Sequence, residues 1–218
     1  MRLKNVIKRI FGRARYIDVI ADKTCNANIP DGYAGGSLAD DNLIIISNSE
    51  LPNNVVTGVF ANEHIYYSTL KINQFLRKDD IKDSGKDLIG PFSHIINVFY
   101  DSDNNSLINK DGTYNSNDSI YQFYQWHQEE VDYLVELDKY ATVCSVLITG
   151  SSVDNRIKRK NVEMCVRGLA EALSNHGVIC NGIIANKTDD VRELLQSAIF
   201  LSSRYGQIMT GEVLMLNE

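Results

Sequence analysis

The sequence predicts an α/β fold in which a mostly parallel sheet lies between two layers of helices. Apolar runs with strand character alternate with amphipathic segments of helical length, as in Val143–Thr149, Lys160–His176 and Val178–Ala185. The strand segments are almost continuously apolar, which is typical of strands that are buried on both faces of a parallel sheet. Together these observations predict a Rossmann-like, three-layer architecture.

The first half of the predicted domain contains three strands. Asn42–Ser47 has the pattern of a buried strand, His64–Thr69 is β-branched and aromatic, and His94–Tyr100 is apolar. Between them we expect a short helix or loop over Val55–Asn62 and a further helix over Ile72–Lys78.

The second half begins with the polar stretch 101–119, which is rich in Asn, Asp and Ser and therefore predicts a surface loop. Residues 120–140 then carry apolar side chains at helical spacing, which predicts a long amphipathic helix. A helix over Asp189–Ser203 and a last strand over Glu212–Leu216 complete the alternation.

The N-terminal segment differs from the rest of the chain in charge. The first fifteen residues contain six cations and no acid. The chain has 22 Lys and Arg against 28 Asp and Glu, so without those six cations 16 basic residues face 28 acidic ones. We therefore predict a basic extension and loop at residues 1–41, followed by a Rossmann-like domain at 42–218. An acidic domain of this kind does not favour nucleic-acid binding, because phosphate contacts need clustered Lys and Arg.

Residues 2–13 have the pattern of a basic amphipathic helix. One interpretation is weak adsorption to an anionic membrane surface, which would make the protein peripheral to the membrane. The other interpretation is a helix that packs on the acidic domain or on a partner subunit. No stretch of the chain approaches the roughly 18 consecutive apolar residues of a membrane span.

The cysteines and histidines predict neither disulfides nor a metal site. Cys25, Cys144, Cys165 and Cys180 are widely spaced without a CxxC pair, and the four histidines show no ligand spacing to them. Such cysteines are typical of small apolar core residues in a reducing compartment. We expect a cytoplasmic protein without a bound metal.

Four segments near the C-terminus carry a family resemblance: Arg159–Leu173, His176–Ile184, Ile199–Ser203 and Thr210–Leu214. In order, they resemble the helix with the catalytic lysine, the strand after it, and the closing helix and strand of the short-chain dehydrogenase/reductases. Residues 42–140 fit the topology of that family more loosely. The resemblance implies hydride transfer between NAD(P) and a carbonyl or alcohol. A Tyr would be the general acid and base, a Lys four residues later would lower its pKa, and a Ser would hold the substrate oxygen.

The residues that this chemistry needs are replaced in this chain. The resemblance places the family's Lys at Arg159 and its Tyr at Asn155. An amide has no proton to exchange near neutral pH, and a planar guanidinium makes different contacts from an amine. Ser151 or Ser152 matches the family's Ser.

The candidate cofactor-binding loop consists of Ser47, Asn48 and Ser49, directly after the first predicted sheet strand. It lacks the glycines that let a backbone approach a pyrophosphate. Elsewhere, Tyr67 and Lys71 have the Tyr-x-x-x-Lys spacing, but they fall in a partly extended segment, where residues four apart are too distant to couple.

These replacements lead us to hypothesise a relative that has lost dehydrogenase catalysis and acts as a non-catalytic or partner subunit, without a bound cofactor. The resemblance implies that it associates through helices 120–140 and 160–175, as a homo-oligomer or with an active paralogue. One alternative is an atypical NAD(P)-dependent oxidoreductase acting on a carbonyl or alcohol. Another, based only on residues 2–13, is a membrane-surface scaffold in envelope polysaccharide synthesis.

Overall fold

The fold is taken from a computed structural model of the chain. The residues that it describes are 38, 42–63, 65–72, 75–86, 88, 90–101, 119–137, 139–150, 153–187, 189–203 and 206–216. The predicted basic extension at 1–41 therefore lies outside the described residues, apart from Leu38, and so does nearly all of the predicted loop at 101–119.

Six strands form one sheet in this part of the chain. They are β1 (Asn42–Ser47), β2 (Tyr66–Lys71), β3 (His94–Tyr100), β4 (Ala141–Thr149), β5 (Val178–Asn186) and β6 (Val213–Met215). The strand order is β2-β1-β3-β4-β5-β6, and all five pairings are parallel. The predicted Rossmann-like architecture is confirmed.

Five α-helices of the described residues cover the two faces of this sheet. They are α1 (Asn53–Glu63), α2 (Lys78–Ser84), α3 (Ser119–Leu137), α4 (Val153–Leu173) and α5 (Val191–Ser202). Helices α2, α3 and α4 pack on one face, and α1 and α5 pack on the other. None of the described helices has the length and apolar character that crossing a membrane requires.

Strand β1 illustrates why the sheet is buried on both sides. Ile44 and Ile46 point to the face that α2, α3 and α4 cover, whereas Leu43 and Ile45 point to the face under α1 and α5. All four side chains are buried. Burying an aliphatic side chain of this size contributes about 1.5–3 kcal/mol, so a continuously apolar strand is stable only between two layers of helices.

The helix predicted over Ile72–Lys78 is wrong. Residues 75–77 are not helical, and α2 begins at Lys78. The reason is a tertiary contact: the Gln125 side chain accepts a hydrogen bond from the Leu76 N–H at 2.9 Å and donates one to the Leu76 carbonyl at 2.7 Å. Both backbone groups of Leu76 are thereby used outside a helix. Asp80 then caps α2 by accepting a hydrogen bond from the Arg77 N–H at 2.9 Å.

Helix α4 begins earlier than predicted, at Val153 instead of Lys160. Only residues 150–152 separate it from the end of β4. The positions that the family resemblance assigns to chemistry, Asn155 and Arg159, therefore lie in the first two turns of this helix, next to the carboxyl end of the sheet.

Candidate functional site

The order in which strands are added to the sheet reverses between β1 and β3. From β1 the chain continues outward to β2, and it then returns to the opposite side of β1 to form β3. In open parallel sheets, ligands bind at such a switch point, in the crevice outside the carboxyl ends of the strands. Ser47, Asn48 and Ser49 end β1 at this crevice, and Tyr100 ends β3.

Asn48 bridges the crevice with its side chain. Its Oδ1 accepts a hydrogen bond from the Tyr100 N–H at 2.8 Å, and its Nδ2 donates one to the Tyr100 carbonyl at 3.1 Å. The same Nδ2 also donates to Gln122 Oε1 on α3, at 2.8 Å. The amide thus connects β1, β3 and α3 at the point where the crevice would open.

The neighbouring serines complete a turn that is bonded to itself. The Ser47 hydroxyl is buried and accepts a hydrogen bond from the Ser49 N–H at 3.2 Å. A pyrophosphate needs free backbone N–H groups and glycines that permit close approach. The turn has no glycine, and the Asn48 side chain spans the space between β1 and β3. These residues do not fit a bound dinucleotide.

A second polar cluster lies at the carboxyl ends of β3 and β4. Asp101 is buried and accepts a hydrogen bond from the Thr149 hydroxyl at 3.0 Å and one from Lys158 Nζ at 2.8 Å. The Lys158 side chain is 12% exposed and that of Asp101 is 0% exposed. The ion pair fixes the start of α4 to the sheet.

Arg159 is held by the end of β5. Its guanidinium donates to the Asn186 side-chain oxygen at 2.7 Å and to the Gly150 carbonyl at 3.2 Å. Its Nε is buried without a hydrogen-bond partner. Asn186 in turn donates its N–H to Asp189, at 2.7 Å. The residue at the family's lysine position thus connects β4, α4 and β5.

The other predicted site residues are only partly described. Ser151 and Ser152 lie outside the described residues, and Asn155 is described only as part of the backbone of α4. Tyr67 and Lys71 both lie in β2 at the edge of the sheet. Tyr67 hydrogen-bonds Thr57 at 3.3 Å and Lys71 pairs with Glu50 at 3.9 Å, so the two do not form a catalytic pair.

Tyr100 is the tyrosine at the carboxyl end of β3. Burial raises its pKa above the ordinary value of 10.0. A tyrosine that exchanges protons with a carbonyl near neutral pH needs the opposite shift. Tyr100 therefore lacks the electrostatic environment of a general acid or base.

Two residues of this region do not stand out in the sequence. Lys158 is adjacent to Arg159, and only the helix phase shows which of the two reaches Asp101. The sequence pattern predicts Asp101 in the polar loop, whereas it is the first residue after β3. Its place directly behind an apolar strand is the signal that could have identified it.

A cavity among the described residues is remote from this region. It has a volume of about 410 Å³ and lies between α2, the end of α3 and the segment before β3. Leu88, Pro91, Phe92 and Leu137 are among the residues that line it. The described part of the chain contains no group of three or more His, Cys, Asp or Glu that could hold a metal ion.

No family model and no curated protein matches the chain. Solved structures do match it. A short chain dehydrogenase from Mycobacterium smegmatis is 12% identical with a TM-score of 0.60, over 87% of this chain and 97% of that one. An oxidoreductase (short chain dehydrogenase/reductase) from Brucella ovis is 13% identical with a TM-score of 0.57, over 81% and 100%. An oxidoreductase of the same family from Brucella ovis, in complex with a partially ordered NAD, is 14% identical with a TM-score of 0.56, over 81% and 99%.

The fold is that of the short-chain dehydrogenase/reductases. Identities this low establish the architecture alone, and one fold carries many unrelated activities. The activity has to be argued from the residues at the carboxyl edge of the sheet. In this chain, those residues bind one another.

Proposed function

We propose that this chain is a non-catalytic relative of the short-chain dehydrogenase/reductases that functions by associating with another subunit. The observation that carries the proposal is Asn48, whose side chain joins β1 to β3 across the crevice. A dinucleotide could enter there only by breaking these hydrogen bonds. Leaving the backbone groups of Tyr100 without partners would cost about 1–3 kcal/mol for each group.

The contacts of the cationic side chains give further support. A lysine that lowers the pKa of a neighbouring tyrosine has to face the reacting atoms. Lys158 is paired with Asp101, and Arg159 is bound to Asn186 and Gly150. Both side chains stabilise the junction between the sheet and α4, and Asn155 supplies no exchangeable proton at the family's tyrosine position.

Helices α3 and α4 supply the proposed association surface, as the family resemblance implies. On α4, Ile157 is 60% exposed and Met164 is 49% exposed. These residues are seven positions apart and therefore lie on one face of the helix. Around them, Glu163 bridges Lys160 at 2.7 Å and Arg167 at 3.0 Å. An apolar centre with a charged rim is the usual anatomy of a protein interface.

Cofactor binding is the first test. We expect calorimetric titration with NADH and NADPH to give no heat of binding at micromolar concentrations. The Asn48→Ala variant lacks the hydrogen bonds between Asn48 and Tyr100 and is titrated in the same way as the matched comparison. Micromolar binding by the unmodified chain would overturn the proposal.

Association is the second test. Light scattering after gel filtration of the full chain should give a mass above that of one chain of 24.5 kDa. Met164→Asp should lower this mass, since it places a charge in the apolar centre. Ile208→Asp is the matched control, because Ile208 is also an exposed aliphatic residue, at 70%, but lies outside α3 and α4. If the chain associates with a different protein and not with itself, that partner should co-purify with the unmodified chain from the native host. The Met164→Asp variant should lose this co-purification.

The alternative is an atypical oxidoreductase. The observation that favours it is Lys158, an amine at the carboxyl edge of the sheet where such enzymes place their chemistry. It requires turnover of NAD(P)H with a carbonyl substrate, and Ser151→Ala or Ser152→Ala should abolish this turnover.

A third proposal is a scaffold at the membrane surface. In this proposal a cytoplasmic protein contacts the membrane peripherally through residues 2–13. Liposome co-sedimentation with and without residues 1–15 tests it.

A further inference from the structure

Helix α3 carries a carboxyl group into the core. Glu130 is 0% exposed, and its Oε2 accepts a hydrogen bond from Asn97 Nδ2 on β3, at 2.9 Å. Two oxygens of this pair, Glu130 Oε1 and Asn97 Oδ1, are buried without a hydrogen-bond partner. An ionised carboxylate would leave two bare acceptors here, whereas protonation of the carboxyl converts an acceptor into a donor.

His127, one turn earlier on α3, is also buried and is bonded at both ring nitrogens. Its Nδ1 lies 2.6 Å from the Phe123 carbonyl, which can only accept, so Nδ1 carries the proton. Nε2 lies 2.7 Å from the Ser145 hydroxyl on β4, which can donate or accept. Burial lowers the pKa of His127 to about 4, so the imidazole is neutral near pH 7 and Nε2 accepts from Ser145. At 4.0 Å from Glu130 Oε2, Nε2 provides no positive charge for the carboxyl group.

The other groups that face Glu130 are equally unable to compensate a charge. They are two thiols, Cys165 on α4 and Cys180 on β5. Burial raises the pKa of both thiols, so both are neutral. Within the described part of the chain, no Lys or Arg makes an ion pair with Glu130. Ionisation would place a bare negative charge in an apolar layer.

We propose that ionisation of Glu130 loosens the packing of helix α3 on the sheet, so that the position of this helix responds to pH. The inference concerns the inner face of α3 and holds whether or not the chain associates with a partner. It therefore goes beyond the proposed function.

The direction of the effect follows from the shifts of the two groups. Burial raises the pKa of Glu130 from 4.5 to about 8, so its contribution to stability is complete below 4.5 and is lost as the pH rises towards 8. Burial lowers the pKa of His127 from 6.5 to about 4, and its contribution is lost as the pH falls through that range. Between pH 6.5 and 8 only Glu130 acts.

The test is hydrogen exchange of the full chain at pH 6.5 and pH 8.5, with each rate corrected for the intrinsic pH dependence of exchange. Protection of the α3 amides should fall on the order of tenfold in the unmodified chain. Glu130→Gln keeps the shape but cannot ionise, and it should lose this fall. Asp132→Asn is the matched control, since Asp132 is an exposed acid on the same helix, and it should behave like the unmodified chain.

A second measurement covers the case in which Glu130→Gln does not fold. In the unmodified chain labelled with carbon-13 at the glutamate carboxyl carbons, one resonance should titrate well above the ordinary range. If every glutamate titrates near 4.5, or if α3 protection is unchanged between the two pH values, the inference is wrong. A fall in α3 protection that Glu130→Gln also shows would equally overturn it.

Discussion

Asn48 Oδ1 accepts a hydrogen bond from the backbone N–H of Tyr100 at 2.8 Å, which joins the carboxyl ends of two strands that are 52 positions apart in the chain. The same amide returns a hydrogen bond to the Tyr100 carbonyl. The Asn48 side chain thus satisfies both backbone groups of Tyr100, as the backbone of a further residue of β1 would do in the sheet. The two strands end at the crevice where open parallel sheets bind ligands, and the amide joins them there.

Asn48→Ala should therefore destabilise the chain. It removes this partner from the two backbone groups of Tyr100 and from the Gln122 side chain, at a cost of about 1–3 kcal/mol for each of the two backbone groups. Urea denaturation measures the change through its midpoint. Asn54→Ala, at an exposed asparagine of the adjacent helix α1, is the control and should leave the midpoint nearly unchanged. Equal midpoints for the two variants would contradict the bridging role.

The Asp101–Lys158 pair gives a prediction of non-additivity. Lys158→Met removes the cation beside the buried Asp101 carboxylate and should destabilise the chain by about 3 kcal/mol. Adding Asp101→Asn to it removes that charge, so the double variant should be more stable than the sum of the single changes predicts. Urea midpoints of all four proteins give the coupling. Lys86→Met, at an exposed pair with Asp83, should have a much smaller effect.

Replacing two glycines by alanine should change the stability of the chain in opposite directions. A Cβ at Gly206 would clash with the Leu201 carbonyl oxygen, so Gly206→Ala forces the turn after α5 to move and should cost about 1–3 kcal/mol. At Gly58, inside α1, the nearest atom is an Arg192 nitrogen at 3.7 Å. Gly58→Ala should stabilise the chain by about 0.5–1 kcal/mol, because alanine favours the helix. Thermal unfolding of both variants checks the signs.

His127 predicts how stability changes on the acid side. Its contribution grows from pH 4 to 6.5, while that of Glu130 declines from pH 4.5 upward, so the two oppose each other between pH 4.5 and 6.5. His127→Gln should expose the Glu130 contribution, with stability falling by up to about 1.4 kcal/mol per pH unit as the pH rises. Urea midpoints at pH 5, 6, 7 and 8 measure both profiles. Parallel profiles would show that His127 does not titrate in this way.

The architecture could be predicted from the sequence because the strands are buried on both faces. A run such as Val143–Thr149 has no polar face to offer to solvent, so its apolar pattern specifies a parallel, covered strand. The start of α2 could not be predicted, because Gln125 removes Leu76 from helical pairing and lies 49 positions away along the chain. Local periodicity contains no information about such a contact.

The candidate site could be predicted only in outline. The absence of glycine after β1 can be seen in the sequence, but no local pattern indicates that the Asn48 side chain spans to Tyr100. Arg159 and Lys158 are neighbours in the sequence, and only the folded helix shows that one binds Asn186 and the other Asp101. In the sequence, Glu130 has the appearance of any polar position of an amphipathic helix. Only the packing of α3 on the sheet shows that this side chain is buried.

The buried thiols on the two faces of the sheet have a practical consequence. Cys144, Cys165 and Cys180 are all buried, and burial raises the pKa of Cys165 to about 12. Because only an accessible thiolate reacts readily with alkylating reagents, these three positions become reactive only when the surrounding layers separate. The rate at which each of them is alkylated in the folded chain, resolved by mass spectrometry of the peptides, therefore measures how often that part of the core opens.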